Sequence, residues 1–114
     1  MKVHYLEIVT PDVEGMIAIY AASYGVSFSA PMAEFGHGRL ADMPDGGYVS
    51  IRAPMHEAEA PVTRPYFLTE DIETATEQAV AAGAELAHPV MEIAGRGKFS
   101  IMFHGSHQFG YWQL

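Results

Sequence analysis

The alternation of apolar and polar residues near the start of the chain predicts a β-strand over Val3–Val9. Leu6 and Ile8 fall on one face of this strand, and Tyr5 and Glu7 fall on the other. Because side chains alternate along a strand, Tyr5 and Glu7 should share a surface that is separate from the apolar face.

A helix is predicted directly after this strand. Asp12 suits the N-cap position, and Glu14 in the first turn favours the positive end of the helix dipole. Gly25 suits the position just past the helix end. The apolar residues in between recur at helical spacing and should face a sheet: Val13, Met16, Ile17 and Tyr20.

The same plan returns in the second half of the chain. Thr10–Glu14 reads TPDVE and Thr69–Glu73 reads TEDIE, so that Asp12 and Asp71 are 59 residues apart. The second copy follows a strand at Pro65–Leu68, and its helix runs through Ala82 to a stop at Gly83. A repeat of half the chain length indicates one duplicated supersecondary unit, each copy burying its apolar face against the other.

Shorter apolar runs complete the two halves and define the expected fold. The further strands are predicted at Val26–Ser29, Arg39–Met43, Tyr48–Arg52, Ala84–His88, Lys98–Phe103 and Phe109–Gln113. Residues 89–97 should form a loop, and the acidic, proline-bracketed residues 54–61 should link modules at about 1–53 and 62–114. Each half then reads β-α-β-β-β. The expected class is α+β, with a curved eight-stranded mixed sheet, helices on its convex face and a groove on its concave face.

Composition narrows the class of protein. A length of 114 residues with 49% hydrophobic residues suits one globular domain. The absence of cysteine excludes disulfides and thiolate metal sites. A net charge of −8, with only six scattered basic residues, argues against nucleic acid and anionic membranes as partners. No signal peptide or membrane-spanning run is evident, so a cytoplasmic location is expected.

Six segments in a fixed order carry a family resemblance. They are Val9–Asp12, Ile19–Tyr20 before Gly25, Glu70–Glu73, Ala81–Ala84, Ile93–Phe99 and Phe109–Gln113. Together they resemble the vicinal oxygen chelate superfamily, which is also called the glyoxalase/bleomycin-resistance/dioxygenase fold. The resemblance implies paired modules around a U-shaped groove and, frequently, a homodimer in which partner chains shape the site.

The resemblance also marks the positions where a metal would bind. Metal-dependent members place a ligand, often His, seven residues before the aspartate that opens each helix, and these positions hold Tyr5 and Arg64. A Glu usually follows on each last strand, where this chain has Gly110 in one module and, in the other, Tyr48–Arg52, which contains no carboxylate or histidine. Because a guanidinium cannot coordinate a divalent ion, no metal ligand and no cofactor is predicted, and a divalent metal is disfavoured.

These positions instead predict a groove that binds a polar small molecule. Strand parity places Glu7 beside Tyr5, and Tyr66 beside Arg64. Arg64 offers a fork for a carboxylate or phosphate, and Glu7 suits a cationic or hydroxyl group. The alternative is that Glu7 and Arg64 simply pair with each other.

Two further strands supply the other candidate ligand-binding residues. Trp112 has the parity of Gly110 and is predicted to offer a stacking surface in the groove, with core packing as the alternative. Ser100 and Met102 are assigned to the groove. Their neighbours on the strand are assigned to the helix-covered side: Phe99, Ile101 and Phe103.

Three function classes therefore stay open. The first is a metal-independent small-molecule-binding protein, similar to the bleomycin-resistance branch, that holds its ligand in the groove of a homodimer. The second is a lyase, isomerase or dioxygenase of the same superfamily, either metal-dependent or with Glu7 as a general base. The third is an interaction module whose groove is filled by its own side chains.

Overall fold

The computed structural model describes residues 1–114 as an α+β chain, the class predicted from the sequence. Seven strands and two α-helices follow one another in the order β1 (Val3–Val9), α1 (Val13–Tyr24), β2 (Arg39–Asp42), β3 (Tyr48–Arg52), β4 (Val62–Leu68), α2 (Ile72–Ala81), β5 (Glu85–Ile93), β6 (Gly97–His104) and β7 (His107–Gln113). A short 3₁₀ turn spans Ala33–Phe35. Neither helix is long and apolar enough to cross a membrane.

The eighth strand, predicted at Val26–Ser29, does not form. Its residues have no regular secondary structure. The Ser29 hydroxyl accepts the backbone N–H of Leu40 at 3.0 Å, and the Ser29 carbonyl accepts Arg39 Nε at 2.8 Å. The Ser29 N–H donates to the Leu40 carbonyl at 2.7 Å, but the other two bonds use a side chain where a ladder would use backbone groups. The first half is therefore β-α-β-β, whereas the second half keeps the predicted β-α-β-β-β order.

The chain divides into two compact units. The first unit is Tyr5–Thr63, and the second unit is Arg64–Leu114 together with Met1–His4. The stretch 54–61, predicted as a linker, lies inside the first unit.

In the first unit, β3 lies between β2 and β1, antiparallel to β2 and parallel to β1. The helix α1 begins at Asp12, whose carboxylate accepts the Gly15 N–H at 3.0 Å, and it ends at Gly25 in the left-handed conformation, φ +65°. The helix covers one face of these strands. The core on that face consists of Ile8, Val49 and Ile51, packed against Leu6, Val13, Met16, Ile17, Tyr20, Phe28 and Met43.

In the second unit, the strands lie in the order β4-β7-β6-β5, with β4 and β7 parallel and the other neighbours antiparallel. The register places Tyr66 opposite Gly110, and Phe99 opposite Trp112. The helix α2 is tied to β7 by a bond from the Ile72 N–H to Gln113 Oε1 at 2.8 Å. This bond fixes the start of α2 beside the end of the sheet.

The prediction of a loop over residues 89–97 is wrong for most of this stretch. Strand β5 continues through Pro89 to Ile93 and forms a hairpin with β6, with register shifts on both sides of His88. Pro89 has no backbone N–H to donate. It lies in an edge strand and at one of these register shifts, so no ladder hydrogen bond is lost there. The only part of the predicted loop that forms is the turn before Gly97, in which the Arg96 N–H donates to the Ile93 carbonyl at 2.9 Å.

The cap of α2 makes a prediction about acid stability. The Asp71 carboxylate accepts the Thr74 N–H at 3.1 Å and the Thr74 hydroxyl at 2.8 Å, and these bonds lower its pKa from the ordinary 3.8. A lowered folded-state pKa means that the stabilisation is present above the unfolded-state pKa and is lost as pH falls through the folded-state pKa. We expect Asp71→Asn, which keeps a capping oxygen but does not titrate, to flatten this part of the acid dependence.

The measurement is the free energy of unfolding by urea between pH 6 and pH 2. Glu70→Gln removes the same charge next to the cap and serves as the control. Parallel pH curves for Asp71→Asn and the unmodified protein would contradict the assignment.

Candidate functional site

An aromatic cluster fills the face of the first unit that is turned away from α1. The ring centroids of Tyr5, Phe35 and Tyr48 lie 5.0 to 5.9 Å apart. The Tyr5 hydroxyl is hydrogen-bonded to the Ser50 hydroxyl, and Tyr5 is only 3% exposed. The 3₁₀ turn brings Phe35 over the strands. Tyr5, which the sequence predicted as a ligand-binding residue, is therefore part of a packed cluster.

A charged group lies on the same face, because Glu7 is on β1 and Arg52 ends β3. Arg52 Nε donates to Glu7 Oε2 at 3.0 Å, while Nη1 and Nη2 donate to the two oxygens of Glu59 at 2.8 and 2.7 Å. The side chains of Arg52, Glu7 and Glu59 are 5%, 11% and 18% exposed. The hydrogen bonds that Arg52 donates to Glu59, together with both carboxylate charges, raise the pKa of Arg52.

Arg52 and Glu59 were missed in the sequence. Strand parity was the available signal for Arg52, since the pairing of Tyr5 with Tyr48 and of Glu7 with Ser50 puts every second residue of β3 on this face. Nothing in the spacing pointed to Glu59, because it lies in an irregular segment and its contact with Arg52 depends on how that segment folds back.

In the second unit, Arg64 is buried and bonded to a neutral side chain. Its Nε and Nη2 donate to Gln108 Oε1 at 3.2 and 2.5 Å. Gln108 was not predicted as a site residue, although it has the same parity on β7 as Gly110 and Trp112. The fork predicted for a ligand carboxylate is thus partly engaged by an amide oxygen.

A second aromatic cluster surrounds Trp112, which is 1% exposed. Phe99 stacks on it at 6.1 Å, and Tyr66 meets it edge-on at 6.1 Å. The indole N–H donates to the Arg96 carbonyl at 3.2 Å. His4, half-buried, lies 6.0 Å from the Trp112 ring, and burial followed by the charge of Lys2 lowers its pKa. The stacking of a ligand on Trp112 stays a prediction.

The assignment of Ser100 and Met102 to the groove was wrong. The Ser100 hydroxyl is bonded to the Thr76 hydroxyl of α2 at 2.9 Å, so Ser100 and, two residues on, Met102 face the helix. Phe99 lies on the opposite face with Trp112. Side-chain size was a misleading guide because the buried residues of β6 are Ser100 and Met102 on the helix side, whereas the larger Phe99, Ile101 and Phe103 are only half-buried.

The residues at the expected metal positions do not fit a divalent ion. A Cβ at Gly110 would overlap the Tyr66 ring and come within 2.6 Å of the Ser100 carbonyl oxygen, so Tyr66 fills the space of the usual Glu. The Tyr5 hydroxyl is hydrogen-bonded to Ser50. Arg64 is cationic and cannot coordinate a metal ion. No group of three or more His, Asp, Glu or Cys residues converges anywhere in the chain. A divalent ion needs several such donors, and they are not brought together.

An open depression of about 560 Å³ lies elsewhere on the second unit, where β4 and β7 end and α2 begins. Its lining is formed by Met1, Lys2, Leu68, Thr69, Glu70, Gln113 and Leu114. None of the predicted site residues takes part in it.

Several solved structures have a similar fold. Methylmalonyl-CoA epimerase from Mycobacterium tuberculosis aligns over 97% of this chain and 86% of its own, with a TM-score of 0.72 and 12% identity. A variant of the Streptomyces coelicolor enzyme, in complex with 2-nitronate-propionyl-CoA, aligns over 99% and 96%, with a TM-score of 0.69 and 18% identity. A hypothetical protein from Bacillus halodurans aligns over 99% and 94%, with a TM-score of 0.69 and 10% identity.

This likeness confirms the predicted resemblance at the level of the fold. The chain has the fold of the vicinal oxygen chelate superfamily. No protein-family model and no curated protein matches its sequence. At such low identity the likeness fixes the scaffold and leaves the chemistry to the residues of this chain.

Proposed function

We propose that the protein is a metal-independent small-molecule-binding protein that acts as a homodimer. The observation that carries the proposal is the donor set: the expected metal positions hold Tyr5 and Arg64, which are bonded to Ser50 and Gln108. The ligand binds to the faces that are turned away from the helices, where polar side chains adjoin aromatic rings. The proposed ligand-binding residues are Tyr5, Glu7, Arg64, Tyr66 and Trp112.

The similar structures support a small organic ligand. The Streptomyces coelicolor enzyme is bound to 2-nitronate-propionyl-CoA, and another methylmalonyl-CoA epimerase is bound to methylmalonyl-CoA. The scaffold in those proteins accepts acyl-CoA derivatives. In this chain Arg64, whose guanidinium is bonded to the neutral amide of Gln108, favours an anionic ligand, whereas Arg52 is paired with the carboxylates of Glu7 and Glu59.

A second candidate, an interaction module filled by its own side chains, is favoured by burial. Tyr5, Tyr66 and Trp112 are 3%, 2% and 1% exposed. A ligand at these positions must displace internal contacts. Ligand-induced stabilisation distinguishes the two candidates: a small-molecule-binding protein is stabilised by its ligand, whereas a module filled by its own side chains gains no stability from any metabolite.

The proposal predicts that the purified protein carries no stoichiometric metal. Elemental analysis measures this directly, and a thermal-shift series with Zn²⁺, Ni²⁺, Mn²⁺ and Fe²⁺ should leave Tm unchanged. A true ligand at about 100 times its Kd adds about 2.7 kcal/mol of stability. For a domain of this size such a gain raises Tm by about 10 °C.

Light scattering measures the oligomeric state in the same samples. One equivalent of bound metal would overturn the proposal and favour a metal-dependent lyase, isomerase or dioxygenase. A metal-free protein that no metabolite stabilises would favour the interaction module instead. A metal-free enzyme with Glu7 as the base would show turnover that Glu7→Gln abolishes.

A further inference from the structure

The segment of residues 53–61, here called the strap, is attached to the first unit mainly through one carboxylate. It contains neither helix nor strand, and most of its residues are exposed. Glu59 reaches back to Arg52 with both of its oxygens, and its Oε1 also accepts the Met55 N–H at 2.7 Å. The Glu59 carboxylate therefore anchors the strap and orders its turn.

We propose that Arg52 forms a carboxylate-binding site, that Glu59 occupies it as an internal ligand, and that a small organic carboxylate replaces Glu59 when the strap opens. This inference rests on the proposed function, because it names the chemical class of the small molecule and the residue that holds it.

The geometry at Arg52 is that of an exchangeable ligand. Two parallel N–H···O bonds, at 2.8 and 2.7 Å, join the guanidinium to Glu59. A free carboxylate can form the same two bonds, since this fork is general for carboxylates. The exchange keeps two hydrogen bonds on the guanidinium and the charge at the site, and it returns the Glu59 carboxylate and the Met55 N–H to water.

Glu7 lowers the energetic cost of opening the strap, because it stays bonded to Arg52. It holds Arg52 Nε at 3.0 Å from the regular strand β1, and it is more deeply buried than Glu59. When Glu59 leaves, Arg52 keeps one compensating carboxylate, so no unpaired charge is left inside the protein. Glu7 thus acts as a positioning residue that fixes the direction of the free edge of the guanidinium.

The surroundings of Arg52 favour a ligand with an apolar body. A Cβ at Gly36 would touch the Met55 methyl group and lie 3.2 Å from Arg52 Cδ, so Met55 of the strap lies directly over Gly36. Movement of the strap removes Met55 and exposes the space above this glycine, next in sequence to the buried ring of Phe35. The ligand class is therefore a small monocarboxylate with an aliphatic or aromatic body.

The first experiment compares carboxylates with their neutral amides. The probes are benzoate, phenylacetate and butyrate, each matched with its amide, and their binding to the full chain is measured by calorimetry. If Glu59 competes for the site, Glu59→Gln should tighten carboxylate binding by about tenfold or more and leave amide binding unchanged. Glu57→Gln, an equal charge change on the exposed strap, should have no effect. Adding Arg52→Lys to Glu59→Gln should remove the gain, because lysine keeps the charge and loses the fork.

A second measurement follows the strap itself in the unmodified protein. Carboxylate binding should speed hydrogen exchange at the Met55 amide, since that N–H loses Glu59 Oε1 as its acceptor, whereas the amide probes should not. Circular dichroism and Tm of each variant verify that it is folded.

An unchanged carboxylate affinity in Glu59→Gln, or an equal gain for the amides, would overturn the inference. If neutral or cationic ligands nevertheless stabilise the unmodified protein, the proposed function stands without it. If no ligand of any charge stabilises the unmodified protein or Glu59→Gln, both fail.

Discussion

Replacing Arg52 with methionine is expected to lower the free energy of unfolding by about 4 kcal/mol, as is typical when one partner of a buried ion pair is removed. Methionine keeps an unbranched stem and removes the guanidinium. Glu7 and Glu59, with side chains 11% and 18% exposed, would then be left with their charges uncompensated by Arg52. The measurement is urea unfolding at neutral pH, followed by circular dichroism.

The matched control for Arg52 is Arg39→Met. Arg39 Nη1 also pairs with a glutamate, Glu14, at 2.9 Å, but the two side chains are 28% and 82% exposed. An exposed pair contributes about 0.2–1 kcal/mol, and the bond from Arg39 Nε to the Ser29 carbonyl adds about 0.5–1.5 kcal/mol, so the control should lose clearly less stability than Arg52→Met. Equal losses for the two variants would show that the Arg52 group is not a buried network. Adding Glu7→Gln and Glu59→Gln to Arg52→Met should restore part of the loss, because the stranded charges disappear.

Replacing Gly110 with alanine is expected to lower the free energy of unfolding by about 3 kcal/mol through overpacking. The added methyl group would overlap the Tyr66 ring and come within 2.6 Å of the Ser100 carbonyl oxygen. The carbonyl belongs to the backbone of the neighbouring strand, so it cannot turn away as a flexible side chain would. Chemical denaturation of the purified variant measures the loss.

Two variants isolate the cause of this effect. Gly105→Ala lies in the turn between β6 and β7, where nothing stands within 4 Å of the new Cβ and only the left-handed φ of +60° is unfavourable. It should cost about 1–2 kcal/mol. In a Tyr66→Ala background, Gly110→Ala should cost less than in the unmodified protein, because the ring is gone. A cost that does not depend on Tyr66 would contradict the packing explanation.

The elements that the sequence predicted well are those governed by local chemistry. Asp12 and Asp71 cap the two helices, and Gly25 ends the first in a left-handed conformation, as their residue types indicated. The strand predicted at Val26–Ser29 did not form, since the Ser29 hydroxyl accepts the Leu40 N–H of β2 and the Ser29 carbonyl accepts the Arg39 side chain. The outcome there depended on which of two competing bonds formed, and propensity alone does not decide that.

The predicted site was less complete, because a site depends on which side chains meet. Parity placed Tyr5 and Glu7 away from the apolar core of α1, where the structure has them. It misassigned Ser100, whose partner Thr76 lies on α2. It also gave no hint that Gln108 would bond Arg64 or that Glu59 would reach Arg52.

By itself, the sequence determined the helix starts, the α+β class and the residue types that stand at the positions expected for a metal. All of these follow from residue type and spacing within short stretches of chain. Only the tertiary structure decided the partners of the polar side chains. Glu7 and Arg52 are 45 positions apart, and Arg64 and Gln108 are 44 apart. Contacts over such separations are selected by the packing of whole strands and of the strap, which local patterns do not encode.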